Sequence, residues 1–275
     1  ERSSLLIPAS TQVSVALLGA LVEKNPLAKT LDLSDIQTAP RLGYAVGRCL
    51  RSNSSLTKLL LRNSQLGDEG VGALSDGLKQ NGNSAVRVLD LASNGIGANG
   101  AAKLAGLLSL SVSIAKLDLA ANKLGSAGTE ALRGCLRDNS TLTALSLRDN
   151  EIDAAGASAL ATALKTNGAL STLWLGRNKL GDEGVAALSE ALLAGKSKLA
   201  YLDLHKNSIT KVGVASLTTL VAESPSLAAL GLAGTKMQFT ETEVMQNAAK
   251  EKAEIGRQKA VRLWMGTDMN KWPDF

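Results

Sequence analysis

"LSTLWLGRNKLG", residues 170–181, carries leucines at 170, 173, 175 and 180 and an asparagine at 178. Leu173 and Leu175 flank Trp174. In an extended strand that alternation sends both leucines to one face and the indole to the other. The same spacing, L-x-x-L-x-L-x-x-N-x-L, returns in "LTKLLLRNSQLG" (56–67), "VRVLDLASNGIG" (86–97), "IAKLDLAANKLG" (114–125) and "LTALSLRDNEID" (142–153). It continues in "LAYLDLHKNSIT" (199–210) and "LAALGLAGTKMQ" (227–238), with Ser64 and Thr235 in the asparagine slot of their copies. A weaker copy, "AKTLDLSDIQT" (28–38), places Ile36 there. The slots at 36, 64, 94, 122, 150, 178, 207 and 235 are separated by 28, 30, 28, 28, 28, 29 and 28 residues. So regular a period is the mark of a repeat array.

Between strands runs a second pattern, G-x-x-G-x-x-x-L-x-x-x-L, as in "GDEGVGALSDGL" (67–78), "GSAGTEALRGCL" (125–136) and "GDEGVAALSEAL" (181–192). Apolar residues every three to four positions predict an amphipathic helix with one stripe turned to the strand. Gly70, Gly100, Gly128, Gly156, Gly184 and Gly213 are expected to let each helix start pack closely. A short strand plus a helix every 28–29 residues predicts an α/β solenoid, a horseshoe of about eight repeats with a parallel concave sheet and convex helices. The units resemble the ribonuclease-inhibitor-type leucine-rich repeat over residues 27–238. The resemblance is specific for fold; proteins of this repeat type include inhibitors, sensors, GTPase activators and scaffolds.

Composition is that of a globular chain: 45% hydrophobic, 20% charged and only 3% aromatic. The core must therefore be aliphatic. A net charge of +5 without long basic runs gives no nucleic-acid signature. No apolar run reaches the ~20 residues that span a bilayer. Two cysteines cannot build a disulfide framework and point to a reducing compartment. Cys49 and Cys135 occupy equivalent helix positions three repeats apart, which predicts buried thiols. The chain begins at Glu1 rather than Met, so a removed targeting segment fits. The expected location is intracellular, cytoplasmic or organellar.

Outward-facing strand positions are free to act. The column between the two strand leucines reads Asp32, Leu60, Asp90, Asp118, Ser146, Trp174, Asp203, Gly231; the next reads Ser34, Arg62, Ala92, Ala120, Arg148, Gly176, His205, Ala233. Neighbouring strands lie about 5 Å apart. Trp174, Tyr201 and His205, edged by Arg148, Arg177, Asp203 and Lys206, are thus expected to share one concave patch. Trp, Tyr and Arg on a rigid surface are typical of a protein-binding hot spot. The plainer alternative is that Trp174 covers the bare Gly176 of its own strand. A single His, with neither Cys on this face, gives no metal site. Asp90 and Asp118, in register, resemble a catalytic carboxylate pair. With no nucleophile, His or pocket beside them, and with Arg62 and Lys116 close, they read as a solvated charge ladder. The Asn slots are expected to satisfy backbone groups at the turns. "NSS" (53–55) and "NST" (139–141) fall in one recurring helix-to-strand turn, so repeat chemistry explains them without glycosylation.

The ends differ from the middle. Residues 1–26 contain a predicted capping helix (10–25), residues 27–238 the array, and residues 239–275 a C-terminal helix and aromatic tail. That helix is expected over 241–263, with Val244, Ala248, Ile255 and Leu263 as its stripe. Trp264, Met265, Trp272 and Phe275 are expected either to cap the array or to anchor a partner. The sequence therefore predicts a non-catalytic protein-interaction scaffold or structural subunit of a hetero-complex, needing no cofactor. It would bind through the concave face and the tail. The alternative is a regulator of an enzyme, either a GTPase activator of the Ran type or an inhibitor-like clamp. The tail's balanced charge departs from the strongly acidic C-terminal region of that activator family.

Overall fold

The computed structural model describes residues 4–6, 27–36, 40–82, 84–110, 113–235, 239–254 and 261–264. Among these residues ten strands of three residues each form one parallel sheet in chain order: β1 (Ser4–Leu6), β2 (Thr30–Asp32), β3 (Lys58–Leu60), β4 (Val88–Asp90), β5 (Lys116–Asp118), β6 (Ala144–Ser146), β7 (Thr172–Trp174), β8 (Tyr201–Asp203), β9 (Ala229–Gly231) and β10 (Arg262–Trp264). The helices α1 (Pro40–Leu50), α2 (Gly67–Gln80), α3 (Ala98–Leu108), α4 (Gly125–Asp138), α5 (Ala154–Leu164), α6 (Gly181–Ala194), α7 (Lys211–Glu223) and α8 (Phe239–Glu254) follow β2 to β9 in turn. Parallel neighbours require such a crossover after each strand. The result is an α/β solenoid.

Register is set by the leucine column. Leu31, Leu59, Leu89, Leu117, Leu145, Leu173, Leu202 and Leu230 pair in sequence and are all buried. A slip of one residue would turn the whole column away from the helices. Helix leucines such as Leu74, Leu104, Leu132, Leu160, Leu188 and Leu217 close the other side of the core.

Close approach at the helix starts is as the glycines predict. A Cβ on Gly128 would stand 2.9 Å from Leu124 Cβ, and one on Gly156 would stand 2.7 Å from Ile152 Cγ2. The contact is tightest between α1 and α2, where a Cβ on Gly77 would meet the Gly47 carbonyl oxygen at 2.1 Å.

Asparagines hold one turn to the next. The Asn94 amide oxygen accepts from the backbone N–H groups of Ser64 (3.0 Å) and Leu66 (3.2 Å), while its nitrogen donates to the Leu61 (2.7 Å) and Ala92 (3.1 Å) carbonyls. Asn122 and Asn178 repeat the arrangement. The residue before each slot takes a left-handed conformation, even where it carries a side chain: Asn63 (φ 53°), Ser93 (58°), Ala121 (53°), Arg177 (59°) and Lys206 (52°). At each of these the backbone N–H donates to a carbonyl of the following unit, as in Arg177 to His205 at 2.7 Å. A second ladder lies in the helix-to-strand turns. There Asn139 accepts from the N–H groups of Thr141 and Leu142 and donates to the Leu108 carbonyl. The Asn139 amide is thus committed inside the fold.

The two ends depart from expectation. The sheet runs past residues 27–238 on both sides, through β1 and β10. The helix expected over 241–263 is divided, with α8 ending at Glu254 and Arg262–Trp264 forming a strand. The reason is the V-x-L alternation of Val261 and Leu263, which lets Leu263 continue the leucine column beside Leu230. The buried stripe of α8 is Met245 and Ala249, whereas Val244 is 55% exposed. Repeat register decides this, because Met245 follows the fully buried Leu217 by 28 positions, one period. The expected helix over 10–25, together with Ile255, Met265, Trp272 and Phe275, lies outside the described residues.

Candidate functional site

The aspartates of the middle column have a local job. Oδ1 of Asp32, Asp90, Asp118 and Asp203 accepts the backbone N–H two residues on, from Ser34, Ala92, Ala120 and His205 respectively, at 2.9–3.0 Å. Each carboxylate thus satisfies a donor just past the strand end. Leu60, Ser146, Trp174 and Gly231 occupy the same column without a carboxylate, so these are the repeats where the pattern was set aside.

At the N-terminal side of the array two carboxylates of the column are engaged by one internal cation. Arg62 reaches Asp90 Oδ2 through Nε at 3.2 Å and Asp118 Oδ2 through Nη2 at 2.8 Å, spanning two repeats. The expected solvated ladder is therefore a buried one: Asp90 is 9% and Asp118 3% exposed. Burial pushes the Asp90 carboxyl above its ordinary range, against the Ala92 N–H; the nearby Asp118 charge adds to the rise and the Arg62 guanidinium opposes it. Two buried carboxylates share one guanidinium.

Three strands further on, the composition changes. Trp174 pairs in register with Ser146 on one side and Asp203 on the other. It is only 5% exposed, so it forms a wall of the patch more than a projecting plug. Asp203 is fully buried, and His205 Nδ1 lies 2.9 and 2.8 Å from its two carboxylate oxygens. A carboxylate only accepts, so Nδ1 carries a hydrogen. Nε2 stands 3.5 Å from Arg148 Nη2, a guanidinium two strands away. The contact crosses Gly176. A Cβ there would stand 1.9 Å from both Nδ1 and Cε1 of the imidazole. The bare glycine thus seats the imidazole of His205.

The remaining patch residues lie around this centre. Tyr201 is half-buried in register with Thr172, two residues before the Trp174–Asp203 pair on the same sheet face. Arg177 is exposed and paired with Asp149 at 3.0 Å. Lys206 is exposed and its stem lies over Gly234. Trp264, expected in the tail, is the β10 member of the same column as Trp174, in register with Gly231. Nothing in the 241–263 segment except the brief V-x-L alternation signalled this.

Among the described residues no group of three or more His, Cys, Asp or Glu side chains could hold a metal ion. No helix among them is long and apolar enough to cross a membrane. Cys49 and Cys135 are both buried, and burial pushes the Cys135 thiol up to about 12.

The Leucine Rich repeat family model matches residues 52–75, 82–105, 138–161 and 170–189. No curated protein matches the chain in sequence. Among solved structures it is similar to leiomodin-1 actin-binding site 2, with 18% identity, a TM-score of 0.45, and coverage of 58% of this chain and 91% of that one. It is also similar to the Caenorhabditis elegans tropomodulin C-terminal domain, with 16% identity, a TM-score of 0.46, and coverage of 57% and 95%. Strand-and-helix units in one parallel sheet, asparagines at most of the turns and the repeat-model matches together show that the chain is built of leucine-rich repeats.

Proposed function

We propose that this chain is a non-catalytic scaffold that binds a protein partner through the sheet face around Trp174, as a component of a hetero-complex. The observation that carries this is the Arg148–His205–Asp203 chain beside Trp174, in which a buried His205–Asp203 hydrogen bond at 2.8 Å holds the imidazole 3.5 Å from the Arg148 guanidinium. A pre-set surface of this composition lowers the ordering cost of association. Tyr201 and Arg148, half-buried, supply the reachable contacts. Trp174 and His205 brace them. The C-terminal residues Met265, Trp272 and Phe275, which follow β10 in the chain, form the second contact.

The test is site-specific photo-crosslinking. A photoreactive phenylalanine at Tyr201 is expected to trap a defined protein, with no adduct from the same residue at Arg133 on α4. The purified partner should then bind wild type at least tenfold more tightly than Trp174→Ala. Equal crosslinking from both positions, or unchanged affinity of the Trp174 variant, overturns the reading.

A further inference from the structure

We infer that the sheet face carries a receptor for a single carboxylate, an Asp or Glu side chain of a partner protein, which docks on Arg148 between Trp174 and His205. This rests on the protein-binding reading above and names the chemistry of the partner.

The inference comes from comparing two repeats of the same array. Arg62 and Arg148 occupy the same column. Arg62 is answered by the middle-column carboxylate of the next strand, Asp90, and by that of the strand beyond, Asp118. For Arg148 the corresponding positions are Trp174 and Asp203. The first has lost its carboxylate, and the second is engaged by His205 Nδ1. Arg148 therefore meets an imidazole nitrogen at 3.5 Å where its counterpart meets a carboxylate oxygen at 2.8 Å. Among the described residues it forms no ion pair.

The formal charges follow. The Arg62 cluster holds one cation and two carboxylates, whereas the Arg148 cluster holds one cation and one carboxylate. The second cluster is thus one negative charge short of the first. A guanidinium offers five N–H donors in a fork matched to a carboxylate, and the buried Trp174 on the neighbouring strand lowers the local dielectric. The array shows what this column position binds, and in this repeat it leaves that group to come from outside. Phosphate would also be attracted, but the internal precedent at Arg62 is a carboxylate.

The test uses arrays of immobilised heptapeptides, randomised except for a central Glu in one set, Gln in a second and Lys in a third. The probe is the whole 275-residue chain. Wild type is expected to retain on the Glu set at least fivefold over the Gln set. Arg148→Gln should abolish that preference, Arg148→Lys should keep part of it, and Arg148→Glu should shift it to the Lys set. Arg133→Gln, a change on the helix side, should leave the wild-type pattern. Each variant is checked for an unchanged thermal transition. Equal retention on Glu and Gln sets, or a Glu preference that survives Arg148→Gln, overturns the inference. If Tyr201 crosslinking succeeds while Glu and Gln sets are retained equally, the scaffold reading stands and only the carboxylate receptor falls.

Discussion

His205 occupies the space that a side chain at residue 176 would fill: a Cβ on Gly176 would lie 1.9 Å from its Nδ1 and Cε1 atoms. Two adjacent repeats have thus exchanged volume. One gave up its side chain so that the other's imidazole could lie across the strand, join Asp203 and come within reach of Arg148.

Gly176→Ala must therefore push the ring off Asp203. Overpacking of this kind costs about 2 kcal/mol. In a His205→Ala background the same substitution should cost under about 1 kcal/mol, because nothing remains to collide with. Urea denaturation of the four proteins in the cycle measures the coupling. Equal costs in both backgrounds would show that the alanine acts elsewhere.

Asn94 serves two repeats at once. Removing its amide leaves the N–H groups of Ser64 and Leu66 and the Leu61 carbonyl buried without this partner. At roughly 1–3 kcal/mol per orphaned group, discounted for relaxation, Asn94→Ala should destabilise by about 3 kcal/mol. Chemical denaturation tests this. A loss below about 1 kcal/mol would mean that water enters the turn.

The Arg62 cluster predicts a pH dependence of definite sign. Burial raises the Asp90 carboxyl in the folded protein, so its contribution is most favourable below the ordinary value of 3.8 and is lost as pH rises through the folded value. Arg62→Gln removes the shared cation and raises the Asp90 carboxyl further. The variant should be about 2 kcal/mol less stable at pH 7, less than for a fully buried pair because the guanidinium side chain is 48% exposed. The deficit should shrink on acidification as the Asp90 carboxyl protonates. A deficit that grows on acidification would contradict this arrangement.

Asp182 behaves oppositely. Burial acts to raise it, but the Thr210 hydroxyl at 2.6 Å and the Thr210 N–H at 2.7 Å prevail and hold it below the ordinary value. Its stabilisation is present above 3.8 and disappears as pH falls through the lower folded value. Asp182→Asn should cost about 1 kcal/mol at pH 7. The variant and wild type should converge in acid. Thermal melts between pH 2 and about 7 provide the comparison.

Cys135 is a chemical reporter of opening. With its thiol pushed up to about 12 by burial, it stays protonated at pH 8, where a thiolate is the species that reacts. Alkylation by iodoacetamide should be roughly 100-fold slower in the folded chain than in denaturant, followed by mass spectrometry. Comparable rates would show that α4 does not shield the sulfur.

Much of this architecture was readable from spacing alone. The 28–30-residue period places the leucine column, and with it the pairing of Trp174 with Asp203, because a parallel register that keeps leucines inward has no free choice. The asparagine slots were legible for the same reason, since every turn presents the same backbone groups. Only the three-dimensional fold showed that Arg62 spans two strands, that Gly176 houses His205, and that Trp174 is buried. Those outcomes depend on side-chain reach and local volume, which a repeat pattern does not encode. The helix predicted over 241–263 failed where the repeat becomes too worn to read. There the open edge of β9 supplies backbone partners that turn Arg262–Trp264 into a strand, and a partner lying outside a segment cannot be read from the segment. The sequence by itself determined which residues face the core and in what order the repeats stack, because those follow from period and hydrophobicity. The tertiary structure decided which charges on the exposed columns are answered, because that is set by contacts between residues 28 to 57 positions apart.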